Sequence, residues 1–154
     1  MNKGFAVYKT PYGYFHIMYE NDKITALERV SSDIVKKGRA TALTDVVYDE
    51  LREYFAGKRK EFSFPYKLKG TEFQIKVWEA LCHIPYGETR SYKDIAIAVG
   101  NPKAYRAVGM ANNKNPIIIA IPCHRVIGTD GKLIGYGGGI EMKKILLDLE
   151  KKNK

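Results

Sequence analysis

The sequence predicts an α/β (α+β) protein built from two domains. Residues 5–30 alternate apolar and polar side chains between short turn sequences, a pattern typical of antiparallel strands. Residues 71–151 instead place apolar side chains at helical spacing, interrupted by Gly and Pro. With 154 residues, 45% of them hydrophobic, the chain is long enough for one domain or two small ones. We therefore expect one domain at 1–66 and a second at 70–154.

The first domain is expected to contain a small sheet and one helix. Three strands are predicted within 5–30, with turns at 10–13 and 21–23. Residues 45–55 carry apolar side chains at helical spacing, and Gly57 is a plausible stop. No group of residues here suggests chemistry, so we interpret this domain as a support.

The second domain opens with a predicted capping box. Thr71 and Gln74 have the spacing at which each side chain bonds the other residue's backbone N–H at a helix start. The helix should continue to Cys82, whose thiol is expected in the core. Pro85-Tyr86-Gly87 should end it.

Two further helices are predicted around Gly100. The first covers 92–99; Asn101 is expected to cap the second, with Pro102 at its first position, and this helix should reach about residue 112. Short helices joined this way are typical of a helix-turn-helix, although ordinary helix pairs also give the pattern. In such a motif the second helix enters a DNA groove. Its candidate contacts are Lys103, Tyr105, Arg106 and Gly109.

The most informative segment is Pro122-Cys123-His124-Arg125. It follows an apolar run at 117–121 that predicts a buried strand, which Pro122 would end. A thiolate is the reactive form of cysteine, and neighbouring positive charge lowers a thiol pKa. We therefore expect Cys123 to be ionised, with His124 able to act as a base. The alternative is that Cys123 is a small core residue.

Two other segments could complete a site. Gly135-Tyr136-Gly137-Gly138-Gly139 would let a ligand approach bare backbone, or is simply a mobile loop. The last predicted helix, 141–151, carries Glu150 near its end, where the helix dipole disfavours a carboxylate. A partner such as His124 would offset that cost.

Charge and cysteine content restrict the function classes. The formal net charge is +9, and the segment from Gly100 to Ile140 holds five basic residues and one acid, Asp130. This favours a polyanion such as nucleic acid, with ordinary basic solubility as the alternative. Two cysteines in unlike surroundings predict no disulfide, and three scattered His give no zinc spacing. No membrane span or signal peptide is evident, so we expect a cytoplasmic protein.

In residues 71–154 the chain resembles the O6-alkylguanine-DNA alkyltransferases, one-shot DNA repair proteins. The first domain is compatible with that family but would not identify it. The matching motifs are Phe73-Gln74, Val77-Trp78, Ile84-Pro85-Tyr86-Gly87-Glu88, Ser91-Tyr92, Arg106-Ala107-Val108-Gly109, Asn115-Pro116, Pro122-Cys123-His124-Arg125-Val126, Gly135-Tyr136, Leu146-Leu147 and Glu150.

The resemblance implies a ribonuclease H-like first domain and a winged helix-turn-helix second domain. It implies irreversible, single-turnover transfer of the alkyl group from O6-alkylguanine in DNA to Cys123, with O4-alkylthymine as a further candidate substrate. The lesion base would be flipped out while the helix-turn-helix occupies the minor groove. The implied partner is double-stranded DNA; neither a cofactor nor a metal is implied, and the protein would act as a monomer.

The resemblance also implies catalytic roles. Cys123 would accept the alkyl group, and His124 would take the cysteine proton through a bound water. Glu150 would hold the imidazole of His124, and Asn115 would brace the segment before the cysteine.

Further roles concern DNA and the base. Arg106 would fill the gap left by the flipped base, and Tyr92 would crowd the 3′ phosphate and assist the leaving guanine. Tyr136 and Gly137 would wall the guanine pocket. Asn101 would place helix N-terminal amides near a phosphate. Lys93 and Thr129 are further candidates for contacts with the DNA backbone.

Three positions depart from the family pattern, and two other functions remain open. Asn113 stands where glycine is common, Tyr105 where a small residue is common, and Gly137 where some members carry Ser or Ala.

The first alternative function is a DNA-binding module that senses alkylated bases without reacting. The family's non-catalytic branch has Trp in place of the cysteine, so Cys123 argues against membership of that branch. The second is a Cys-His hydrolase, for which no oxyanion site is evident.

Overall fold

The computed structural model describes residues 2–31, 36–133, 136 and 139–154, and the chain divides into two compact units, residues 1–68 and 69–154. Strands and helices occur in both units, as the predicted α/β class requires. No helix within these ranges has both the length and the apolar character needed to cross a membrane.

A three-stranded antiparallel sheet and one helix form the first unit. Its elements are β1 (Lys3–Thr10), β2 (Gly13–Glu20), β3 (Lys23–Val30) and α1 (Ala42–Phe55). The strand order is β1-β2-β3. Alternate residues of the central strand, Phe15 and Ile17, are fully buried, as are Leu51 and Tyr54 of α1. The helix therefore covers the apolar face that the alternating pattern predicted.

Both edges of this sheet are covered by other segments. Val7 N donates to Lys37 O and Arg39 N to Phe5 O along β1. On the other edge, Lys67 N donates to Ile24 O. Covering the edges satisfies backbone groups that would otherwise be free to pair with another chain.

The second unit is mainly helical. Its elements are α2 (Glu72–Leu81), β4 (Arg90–Ser91), α3 (Tyr92–Ala98), α4 (Tyr105–Asn113), a 3₁₀ turn (Cys123–Arg125), β5 (Val126–Ile127) and α5 (Ile140–Lys152). The short strands β4 and β5 pair in parallel. The predicted capping box at Thr71 and Gln74 is present, with both side chains bonding the other residue's backbone N–H.

Trp78 of α2 fixes the position of α4. Its side chain is 2% exposed, and its indole Nε1 donates to Ala111 O at 2.8 Å. Val108 and Ala111 on the same side of α4 are also buried. The contact between α2 and α4 therefore combines burial of apolar side chains with a hydrogen bond, which is directional.

The expected start of α4 is wrong. Asn101 does not cap the helix, which begins at Tyr105 and has no side-chain cap. Instead, Asn101 N donates to Ala96 O and closes α3, while Gly100 adopts a φ of 83°. The exposed Asn101 therefore belongs to the turn after α3, and no helix N-terminus lies at this residue.

Cys82 is not a core residue. It lies at the C-cap of α2 and is exposed, whereas the preceding Leu81 is fully buried. The helical repeat places Leu81 on the inner face, and the helix ends before another inward position is reached. No disulfide joins Cys82 and Cys123.

We predict that Trp78→Phe lowers the free energy of unfolding by about 1–3 kcal/mol, because it leaves the buried Ala111 carbonyl without its donor. Urea unfolding followed by far-UV circular dichroism measures the change. A loss below about 0.5 kcal/mol would show that the indole bond contributes little to the position of α4.

Candidate active site

The segment before Cys123 is a buried turn, and the predicted strand at 117–121 is absent. Ile119 has a φ of 73°, and Ile118 forms only an isolated bridge with Ile121. Residues 117, 119 and 121 are at most 1% exposed, so burial explains the apolar run. A β-branched residue at positive φ is strained, and no local sequence signal predicts it.

Two asparagine side chains hold this turn. Asn115 Nδ2 donates to Ile121 O at 2.7 Å, and Asn115 Oδ1 accepts from Ile117 N at 3.0 Å. Asn112 Nδ2, from the inner face of α4, donates to Cys123 O at 3.2 Å. Buried backbone groups outside regular structure need such partners. Asn115 thus spans the turn, and Asn112 links it to α4.

The thiol of Cys123 is neutral at rest, contrary to the expected thiolate. The residue is 2% exposed, and burial raises the pKa of its thiol to about 11. Hydrogen bonds from Asn115 and Tyr136 and the positive charge of Lys143 lower that pKa, but only partly offset burial. The sequence-based expectation failed because burial outweighs the favourable charges and because the two sequence neighbours supply no free cation: Arg125 pairs with Glu150, and His124 is neutral.

Glu150 is the centre of a buried hydrogen-bond network. Its carboxylate accepts from His124 Nε2 at 2.6 Å, Arg125 Nε at 2.7 Å, Arg125 Nη2 at 3.0 Å and Gly87 N at 3.2 Å. Burial alone would raise the pKa of this carboxyl, but the bonds from His124 and Arg125 together hold the pKa well below its usual range. Glu150 is therefore ionised and can only accept hydrogen bonds.

The same network fixes the tautomer of His124. Burial lowers the pKa of the imidazole, so the ring is neutral at pH 7. Because Glu150 can only accept, Nε2 carries the ring proton and Nδ1 is a bare acceptor. Nδ1 is buried and has no hydrogen-bond partner among the described residues. The ring can therefore take up a proton at Nδ1 while the carboxylate stabilises the resulting charge.

Lys143 is a site residue that sequence reasoning missed. It is fully buried on α5, and its Nζ donates to Val126 O and lies 5.8 Å from the ring centre of Tyr92. Burial lowers the pKa of the amine to about 8, and a negative charge on Cys123, once its thiol is ionised, acts in the opposite direction. The helical repeat could have found it, because residue 143 lies two turns before Glu150 on the same face.

The remaining predicted residues divide by exposure. Tyr136 is 7% exposed and lies beside the sulfur. Tyr92, at the start of α3, is half-buried; burial, and then the negative charge that Cys123 carries when ionised, raise the pKa of its hydroxyl. Arg106 on α4, Lys93 on α3 and Thr129 in the turn after β5 are exposed.

Two other expectations concern the glycine-rich loop and metal binding. Gly137, and with it most of the glycine-rich loop, lies outside the described residues. Across the ranges given above, no three His, Cys, Asp or Glu side chains converge closely enough to hold a metal ion.

Both units match models of one family. Residues 72–152 match the DNA-binding domain of 6-O-methylguanine DNA methyltransferase, and residues 5–68 match its ribonuclease-like domain. The chain therefore belongs to the 6-O-methylguanine DNA methyltransferase family, and the resemblance of its motifs is confirmed.

Individual relatives agree with this assignment. A methylated-DNA–protein-cysteine methyltransferase from Methanosarcina barkeri is 60% identical over 104 residues, which are 68% of this chain and 66% of that protein. The matched segment thus spans just under two thirds of that relative. The constitutive methylated-DNA–protein-cysteine methyltransferase of Bacillus subtilis is 49% identical over 152 residues, 93% of this chain and 92% of that protein.

A solved structure extends the likeness to the fold. The crystal structure of Mycobacterium tuberculosis OGT in complex with DNA superposes with a TM-score of 0.86 at 44% identity, covering 97% of this chain and 93% of that one. The predicted fold class is confirmed by this match and by the two domain matches.

We predict that Glu150→Gln lowers the free energy of unfolding at about pH 7 by about 3–5 kcal/mol, because Arg125 is left buried without its anion. The wild-type contribution is complete above the ordinary carboxyl pKa of 4.5 and is lost as the pH falls through the lower folded value. The variant should therefore lose less stability on acidification than the wild type. Urea midpoints measured down to about pH 3 test both parts.

The matched control is Glu141→Gln, an exposed carboxylate in the first turn of the same helix. It should change the unfolding free energy by no more than about 0.5 kcal/mol. Equal acid sensitivity of Glu150→Gln and the wild type would contradict the structural importance of this carboxylate.

Proposed function

We propose that this protein repairs DNA by moving the alkyl group of O6-alkylguanine irreversibly to Sγ of Cys123, once per chain. The observation that carries the proposal is the buried thiol adjoining a neutral histidine whose Nε2 is held by an ionised carboxylate, in a chain of this family. The relatives that bear the name methylated-DNA–protein-cysteine methyltransferase support the same reaction. O4-alkylthymine is a further candidate substrate.

The reaction begins with removal of the thiol proton. A bridging water passes the proton of Sγ to Nδ1 of His124, and Glu150 stabilises the imidazolium through Nε2. The thiolate formed is stabilised by the bonds from Asn115 and Tyr136 and by the charge of Lys143, the groups that lower the thiol pKa. A resting pKa of about 11 means that this transfer is a necessary step, because the sulfur is not ionised beforehand.

Alkyl transfer is then a single displacement. The thiolate sulfur attacks the alkyl carbon, an S–C bond forms, and the C–O6 bond breaks with its electron pair returning to the guanine ring. Uptake of one proton by the ring, assisted by the hydroxyl of Tyr92, gives neutral guanine and a neutral thioether. No step of this scheme cleaves the new S–C bond and restores the thiol, so each chain acts once.

The substrate atom lies inside the duplex, so the base must leave the stack, which costs a few kcal/mol. The exposed Arg106 on α4 can enter the gap and offset part of that cost. Lys93 and Thr129 are candidates for phosphate contacts, Tyr92 for the 3′ phosphate, and Tyr136 with Gly137 for the base pocket. We propose that the protein acts as a monomer, without a cofactor, on double-stranded DNA. Its proposed location is the cytoplasm.

Intact-mass analysis after incubation with O6-benzylguanine tests the chemistry directly. We expect a gain of one benzyl group per chain in the wild type and in Cys82→Ala, the control for the exposed thiol. Cys123→Ala should show no gain. An unmodified wild type that still binds lesion DNA would favour a lesion-sensing module, and repeated turnover of a thioester would favour a hydrolase.

We predict that Arg106→Ala slows transfer from duplex O6-methylguanine by about 10- to 100-fold, because nothing fills the gap left by the base. The reaction with free O6-benzylguanine, which needs no base extrusion, should slow far less. Single-turnover mass analysis gives both rates. The control is Arg52→Ala, which removes the same charge from an exposed position of α1. Equal losses on both substrates would contradict the extrusion role.

A further inference from the structure

Helix α4 exposes an apolar side chain to solvent. Met110 is 64% exposed, the largest value among the large hydrophobic residues that the structure describes, and Tyr105 on the same helix is 48% exposed. The inner face of α4, with Val108 and Ala111, is fully used in packing. The packing of the described chain therefore gives no role to the Met110 side chain.

Met110 lies one helical turn after Arg106. Side chains four residues apart on a helix are neighbours, so the thioether and the guanidinium project from the same outer strip of α4. Gly109 lies beside them, and a Cβ at that position would be 3.8 Å from the ring of Tyr92. Tyr92 therefore flanks one side of this strip.

The surroundings of Met110 are cationic. Lys103, Arg106 and Lys114 are all exposed, and the sequence contains no acidic residue between Asp94 and Asp130. An apolar side chain within a field of positive charge suits the DNA minor groove, where phosphates line both edges and the floor is formed by bases and sugars. Proteins that open the minor groove combine cationic side chains with apolar wedges, methionine among them.

We propose that Met110 is a second wedge, which enters the minor groove beside Arg106 and unstacks the base step next to the flipped nucleotide. The proposal rests on the proposed function and adds to it a DNA-contacting residue that acts through apolar contact. Arg106 would fill the position of the lost base, while Met110 would hold open the neighbouring step. The sequence pattern gave no indication of this role, since an isolated methionine in a helix is usually a core residue.

The test compares Met110→Gln with the wild type on two substrates. Glutamine matches methionine in length and helix propensity, so the variant should fold normally. We expect about a tenfold lower rate on duplex O6-methylguanine, the loss of one buried methionine contact, and a much smaller change on free O6-benzylguanine. Met110→Leu should restore most of the duplex rate. Met18→Gln, at a 40% exposed position of β2, is the matched control and should react like the wild type.

Two further measurements separate an apolar wedge from a phosphate contact. In a Cys123→Ala background, 2-aminopurine placed next to the lesion should brighten on binding, and Met110→Gln should reduce that increase. The slope of log affinity against log salt should stay unchanged in Met110→Gln but become shallower in Arg106→Ala. Equal rate losses on both substrates, or a duplex rate like that of the wild type, would overturn the proposal. Failure of the wild type to gain a benzyl group would instead refute the proposed function.

Discussion

The second unit depends on the hydrogen bonds that the buried carboxylate of Glu150 accepts. This carboxylate lies near the end of α5, where the helix dipole opposes negative charge, and it is removed from water. Four hydrogen bonds from two segments compensate for both costs: those from His124 and Arg125 in the 3₁₀ turn, and that from Gly87 in the turn after α2. The carboxylate therefore joins α5 to the segment that carries the sulfur, and it also determines which nitrogen of His124 is bare.

Helix α4 connects the side of this unit that we propose faces DNA to its interior. Its inner face bonds Trp78 through Ala111 O and reaches Cys123 O through Asn112. Its outer face exposes Arg106 and Met110. Because one helix carries both faces, the distance between the side chains that we propose enter the groove and the sulfur of Cys123 depends on how α4 is held against the 3₁₀ turn. A displacement of α4 against the buried turn would strain the bond from Asn112.

Local sequence signals predicted the elements whose structure is determined locally. Strand alternation gave the sheet of the first unit, and Thr71 with Gln74 gave the start of α2, because both patterns depend on near neighbours. The failures have two different causes. The apolar run at 117–121 is a turn whose backbone is held by the nearby side chain of Asn115, and apolar periodicity does not signal such bonds. The ionisation of Cys123 was mispredicted because burial raises the pKa of the thiol and because Arg125 is paired with Glu150, 25 positions away in the sequence.

The neutral, covered thiol of Cys123 has a consequence for how long the protein remains usable. Peroxide and small electrophiles react with thiolates. A thiol with a pKa of about 11 is almost entirely protonated at neutral pH, and at 2% exposure it is also hard to reach. A protein that reacts only once, as we propose for this chain, is inactivated if an oxidant modifies its cysteine before a lesion is bound. A thiol that stays neutral and covered until the proposed transfer of its proton to His124 is therefore protected from such reagents between lesions.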